Sequence, residues 1–370
     1  MKRTRRYSKG KQKMTRREFL KTTAAIGASV SVGPFILGTK GQKLAKTLRV
    51  DNWGGAYQDA CRIGYRLFEE KYGVKIIEGS FATTDEMLAK IKASPPGEYD
   101  AVYLDDTGVY KGIKQGLIEP LDENNLTNYK YQMKKFQHPP YDPGPEIYSM
   151  ANEYYSTALV YNTDAIAGTP ESWEILWDKK YSKRISLWDW AWCRIANTAL
   201  YLGQNPNDIS DIDAVFKAMS ELNRSVLKYY KSGMEMQQLL TNRDVVLGEF
   251  WSGRTLALKD QGVPVWFKIP KEGAFINVGT VCAARGTKKK LTTELFINFI
   301  TGPESYPKIA EKIHYVPCLD PKYYKVSEPI RSNPEFNPEA VEKCVITDNA
   351  YKDKHEKEWT ERFNLMKAAG

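Results

Sequence analysis

Trp251 and Arg254 are the residues whose types and spacing most invite chemistry. They lie in VVLGEFWSGRTLALKDQGVPVWFKIPKEGAFINVGTVCAARGTKKK, residues 245–290, where Glu249, Phe250 and Trp251 follow the apolar run 245–247 and Ser252-Gly253 leads into helix-forming residues 254–261. An indole face attracts an ammonium group by about 0.5–2 kcal/mol, more where water is excluded. A guanidinium fork suits a carboxylate, and both Arg254 and Arg194 are candidates for that role. Trp188-Asp189-Trp190-Ala191-Trp192 is a second aromatic run; if extended, alternation puts its three indoles on one face. A third, Asn52-Trp53-Gly54-Gly55-Ala56-Tyr57, carries glycines that let the backbone turn sharply beside a ligand. This is chemistry of recognition: stacking, cation–π attraction and a few charged contacts. Bond-making sets are missing from the sequence. His138, His314 and His355 lie far apart and offer no metal-ligand spacing. No Walker A loop, no GxGxxG after a strand and no GxSxG elbow occurs. The sequence therefore argues against an enzyme, a metal site and a cofactor.

Such side chains need elements that end beside them. Short apolar runs at 48–50, 74–77 and 99–104 read as strands, separated by helices that end at Gly73 and at Pro95-Pro96-Gly97. The runs 245–247, 263–269 and 278–284 repeat the rhythm, which is that of an α/β protein. In open α/β sheets ligands sit beyond the carboxyl ends of strands. Trp53 and Tyr57, Asp105 and Asp106, and Glu249 with Trp251 are expected at such ends. After a leader is removed about 325 residues remain, more than one core usually serves, so two lobes are expected. The chain should cross between them near Tyr155 and again near Gly279, just after Asn277. Residues 292–301 and 303–313 read as helices, the second ending before Tyr315; 321–338 reads as irregular, and 350–369 as a last helix.

The first 46 residues read as an export signal. Thr15-Arg16-Arg17-Glu18-Phe19-Leu20-Lys21 precedes a mild apolar segment, residues 24–37, with cleavage expected near 40–46 or the segment kept as an anchor. Charge follows from this leader. The chain holds 54 Lys and Arg against 45 Asp and Glu, but 13 of the basic residues and one acidic residue lie in the leader. The remainder has 41 against 44, a net of −3, which excludes nucleic-acid binding argued from charge. The five cysteines (Cys61, Cys193, Cys282, Cys318, Cys344) are widely spread, and no pairing follows from them.

Ser172-Trp173-Glu174-Ile175-Leu176-Trp177, Tyr181-Ser182-Lys183-Arg184, Asn52-Trp53, Pro270-Lys271-Glu272-Gly273, Ile297-Asn298-Phe299-Ile300 and Ile313-His314-Tyr315-Val316-Pro317 occur in an order that resembles bacterial extracellular solute-binding proteins of the spermidine/putrescine-binding type. The resemblance spans nearly all of residues 47–320. It implies a type II periplasmic-binding-protein fold with two doubly wound lobes, 47–154 with 279–325 and 155–278 with 326–370, and a ligand cleft between them. It implies a monomeric periplasmic receptor, exported by the twin-arginine translocase, that delivers a small-molecule solute to an ABC importer permease in the inner membrane. Trp53, Tyr57, Trp251 and Tyr315 match the family's cleft aromatics. The family's polyamine-holding carboxylates fall at Trp190, near Cys193 and Arg194, and at Gly279, so a plain polyamine is not expected, while Asp189, Asp105 and Asp106 are candidate substitutes. The expected ligand-binding set is Trp53, Tyr57, Asp105, Asp106, Tyr155, Asp189, Trp190, Trp251, Arg254, Asn277 and Tyr315, taking a small amine or amino-acid-like solute. A carbohydrate receptor and an exported enzyme are the alternatives.

Overall fold

The computed structural model describes residues 43–369, so the twin-arginine motif and its apolar segment lie outside the described residues. Strand β1 (Thr47–Asn52) leads through Gly54-Gly55 into helix α1 (Gly55–Tyr72), then β2 (Lys75–Ser80), α2 (Thr84–Ala93), β3 (Ala101–Asp105) and α3 (Asp106–Lys114). Each boundary has a local cause. Gly73 takes a left-handed conformation at the end of α1, and the Thr83 hydroxyl accepts from Glu86 N at the start of α2. The Asp105 carboxylate caps α3 by accepting from Gly108 N. After the short β4 (Ile118–Glu119) comes the long β5 (Ser149–Asn162). Then follow β6 (Ile185–Trp188), α4 (Ala191–Tyr201), α5 (Ile212–Asn223), β7 (Val226–Tyr230), α6 (Gly233–Thr241), β8 (Leu247–Trp251), α7 (Ser252–Asp260), β9 (Val265–Lys268) and β10 (Phe275–Ala284). The chain closes with α8 (Lys290–Ile300), α9 (Tyr306–Ile313), β11 (Val316–Pro317), α10 (Glu328–Arg331), α11 (Pro338–Glu342), β12 (Val345–Ile346) and α12 (Asn349–Ala368).

The principal strand order is β2-β1-β3-β10-β5-β8-β6-β7. In one half β1 runs parallel to β2 and β3; in the other β6 runs parallel to β7 and β8. The antiparallel pair β5 and β10 joins them. Register then fixes where the halves meet. Asp105, at the end of β3, pairs with Gly279, which pairs with Glu153 on β5. Trp251, at the end of β8, pairs with Thr157. The two sets of strand ends thus reach one stretch of β5, residues 153–157, about 13 Å long. Helices α1, α8 and α9 cover the first half through Phe68, Phe296 and Ile309, and α4, α5 and α12 pack around Trp192, Phe216 and Trp359 on the second.

Several local expectations change. The strand expected at 245–247 runs instead over Leu247–Trp251, so Glu249 lies inside it, fully buried, not beyond its end. The Trp188–Trp192 run is not extended: the strand stops at Trp188 and α4 starts at Ala191. Trp192 therefore turns away from Trp188 and Trp190 and stacks on Trp359, its Nε1 donating to Thr347 Oγ1 at 2.9 Å. Residues 173–177 form a 3-10 turn. All five cysteines are unbridged and buried.

Candidate ligand-binding site

The first wall is built on the β1 turn. The Asn52 side chain accepts from Gly54 N and donates to Tyr65 OH, both at 2.9 Å, which holds the turn against α1. Gly54 and Gly55 take φ of 69° and 56°, a region where a Cβ is strained. The turn sets the half-buried Trp53 edge-on to Tyr57 (5.1 Å between ring centres), Phe81 (5.8 Å) and Tyr103 (6.2 Å). Beside it Asp105 accepts from Gly108 N at 2.7 Å and Thr84 Oγ1 at 2.9 Å. Asp106 is buried, and its Oδ2 has no hydrogen-bond partner. Burial, reinforced by the neighbouring Asp105 charge, pushes its carboxyl up to about 7, with the Lys352 ammonium acting in opposition.

The floor is β5. Residues 153 and 155 share one face of the strand. Tyr155 stacks on Tyr315 with ring centres 4.4 Å apart and planes 17° from parallel. Its phenol is held well above the ordinary range, first by burial, then by the nearby Tyr315, Asp105, Glu153 and Asp106. Glu153 is a residue the sequence reading passed over. Its carboxylate accepts from Tyr57 OH at 2.8 Å and also from Tyr306 OH. It fills the space in front of Gly279, where any Cβ would collide with it. A carboxylate is thus present beside position 279, supplied by the neighbouring strand. Its signal was a lone acid within the apolar and aromatic run SMANEYYSTALVYN.

The second wall is a Trp cluster. Trp188 is tilted against Trp190 (4.8 Å) and edge-on to Trp251 (5.1 Å). The Arg254 guanidinium lies 5.4 Å from the Trp251 ring centre and donates to Gln237 Oε1 at 3.0 Å. Behind the cluster, Glu249 and Arg194 form a fully buried ion pair. Glu249 also accepts from Trp188 N and Asn197 Nδ2, each at 3.0 Å. Arg194 is therefore not available to a ligand carboxylate, contrary to expectation. Asp189 is committed too, paired with Lys367 of α12. Asn277 is nearly buried and points its amide at Thr157 Oγ1, 3.5 Å away. Among the sequence-predicted residues, Trp53 meets Tyr57, Tyr155 stacks on Tyr315 with Asp105 and Asp106 nearby, and Trp190, Trp251 and Arg254 gather around Trp188.

Glu335, from the segment expected to be irregular, is a second missed carboxylate. Fully buried, it accepts from Ser156 N on β5 and, at 2.8 Å, from Ser252 Oγ at the start of α7. Burial pushes it from 4.5 up to about 7, the hydrogen bonds from Ser156 and Ser252 only partly offsetting this, and Glu153 is raised to about 7 in the same way. The folded protein then binds more protons than the unfolded chain between pH about 4.5 and 7, so these groups make stability fall as pH rises through that window. Glu335→Gln, which mimics the protonated acid, is expected to raise the melting temperature at pH 8 and change it little at pH 5. Moving the carboxyl from 4.5 up to about 7 is worth on the order of 3 kcal/mol in full. Scanning calorimetry of both proteins at the two pH values checks this; equal effects at both would remove the titration argument.

Two parallel-stranded halves joined by two antiparallel strands, with aromatic walls at facing strand ends, define a two-lobed periplasmic binding protein. The profile of the bacterial extracellular solute-binding proteins matches residues 66–338, and the chain belongs to that family. Among similar proteins is the spermidine/putrescine-binding periplasmic protein of Salmonella typhimurium, 28% identical over 251 residues, 67% of this chain and 71% of the relative. The gamma-aminobutyric acid-binding protein of Pseudomonas aeruginosa is 23% identical over 341 residues, 88% of this chain and 92% of that one. The fold is similar to that of the spermidine/putrescine ABC transporter substrate-binding protein PotD of Streptococcus pneumoniae, with a TM-score of 0.77 at 21% identity, covering 88% of this chain and 99% of PotD.

Proposed function

We propose that this protein is the periplasmic receptor of an ABC importer and that it holds a small amine or amino-acid-like zwitterion in the cleft between its lobes. Plain polyamines are not its solute, and it is not an enzyme. The observation that carries this is the stacked Tyr155–Tyr315 pair with Asp105 and Asp106 close by, together with the Trp53–Tyr57 and Trp251–Arg254 pairs. Aromatic faces and carboxylates in a partly dehydrated cleft favour an ammonium group. The names of the relatives, which bind polyamines or gamma-aminobutyric acid, support the same solute class.

Residues 47–154 with 279–325 make one lobe and 155–278 with 326–370 the other, hinged where β5 and β10 cross. The receptor acts as a monomer, reaches the periplasm through the twin-arginine translocase, and docks its closed form on an inner-membrane permease. The set Trp53, Tyr57, Asp105, Asp106, Tyr155, Trp190, Trp251, Arg254, Asn277 and Tyr315 lines or borders the cleft; Asp189 holds α12 in place of a ligand. A thermal-shift screen of the purified protein against amines, amino acids, sugars and ferric iron tests the reading. A ligand at 100 times its Kd adds about 2.7 kcal/mol of stability. A shift with monoamines or amino acids is expected; a response to sugars or iron alone would overturn it.

A further inference from the structure

Helix α12 touches both halves of the molecule. Its first turn docks on the first turn of α3, where Asn349 Oδ1 accepts from Thr107 Oγ1 at 3.1 Å. One turn on, Asp353 pairs with Lys114 at 3.1 Å. Farther along, Arg362 pairs with Asp213 at 2.7 Å and Lys367 with Asp189, both on the other half. Within the first of these anchorages stands Lys352, 3% exposed, its ammonium 5.8 Å from the centre of the Trp190 ring. Among the described residues it makes no ion pair within 4 Å.

A buried ammonium without a hydrogen-bonded counter-charge is costly. A Trp face 5.8 Å away offsets little of that cost. Two neighbouring polar groups are also without partners: Nδ2 of the fully buried Asn349, and Oδ2 of Asp106. The set therefore offers one buried amide donor and one buried carboxylate oxygen without partners, beside an ammonium that makes no ion pair among the described residues. Asp106 lies in the field of Lys352 but does not reach it. The other buried cation of this region, Arg194, is already neutralised by Glu249.

We propose that Lys352, with the Asn349 amide, is the carboxylate subsite of the cleft, and that it fixes the solute as a zwitterion. The solute's ammonium lies against Asp105, Asp106 and the aromatic faces, and its carboxylate lies on the first turn of α12. This deepens the amine reading above and rests on it. A diamine would set its second ammonium against Lys352, so the same lysine excludes plain polyamines.

Titration calorimetry at pH 7 with 4-aminobutanoate, butylamine and 1,4-diaminobutane tests this on the wild type, Lys352→Met and Lys352→Arg. The wild type is expected to bind the zwitterion most tightly. Lys352→Met should lose about 10- to 100-fold for 4-aminobutanoate, the worth of a charge-assisted hydrogen bond, with butylamine within threefold and the diamine gaining. Lys352→Arg should recover most of the zwitterion affinity, which separates a charge effect from misfolding. Unchanged 4-aminobutanoate affinity in Lys352→Met would overturn the assignment while leaving the amine reading intact, as would an equal loss for all three probes. No binding of any probe by the wild type would overturn both.

Discussion

Glu249→Gln is expected to destabilise the protein by about 3–5 kcal/mol, a larger effect than any single substitution in the cleft walls. Glu249 and Arg194 are 0% and 2% exposed, so neither charge is hydrated once its partner is lost. The geometry makes the loss worse. Both oxygens of Glu249 are occupied by N–H donors, from Trp188 N and Asn197 Nδ2, and an amide would turn an NH2 toward one of them. Arg194 keeps Nε without any hydrogen-bond partner even with the pair intact. Arg194→Met/Glu249→Gln removes both charges and should recover part of the loss, since an unpaired buried charge costs more than no charge at all. Urea unfolding checks both variants: the midpoint should fall with little change in slope. A single variant that costs under 1 kcal/mol but abolishes ligand binding would instead place the pair in the recognition site.

Trp251→Ala should weaken solute binding by about 30- to 100-fold, from the loss of a partly dehydrated cation–π face worth about 2 kcal/mol or more. The ring does two jobs. It is the partly buried face proposed to meet the solute, and it lies 5.4 Å from the Arg254 guanidinium. Its loss also frees the edge of Trp188, which it meets at 89°. Trp251→Phe keeps a smaller face and should lie between wild type and Ala. Calorimetric titration with the solute found by thermal shift gives the affinities, and near-ultraviolet dichroism shows whether the remaining Trp cluster stays ordered. An affinity unchanged in Trp251→Ala would move the solute to the Trp53 wall alone.

The sequence by itself determined the α/β class, the order of strands and helices, and the aromatic residues stationed at strand ends. Those features are local: apolar period, glycine turns and capping residues act within a few positions of each other, as at Asn52 to Tyr57 and at Asp105 to Gly108. Tertiary structure alone decided which charges are free. Glu153 packs against Gly279 because the register of β5 on β10 sets them opposite each other, and Asp189 is tied up because α12 brings Lys367 alongside. Glu249 and Arg194 look like ligand groups in the chain and become a buried pair only when β8 packs on α4. Lys352, which nothing in the chain singles out, is set by α12 in the field of Asp106 and near the Trp190 ring. The reason is electrostatic: a charge's role depends on its partners and its exclusion from water, both fixed by residues far away along the chain.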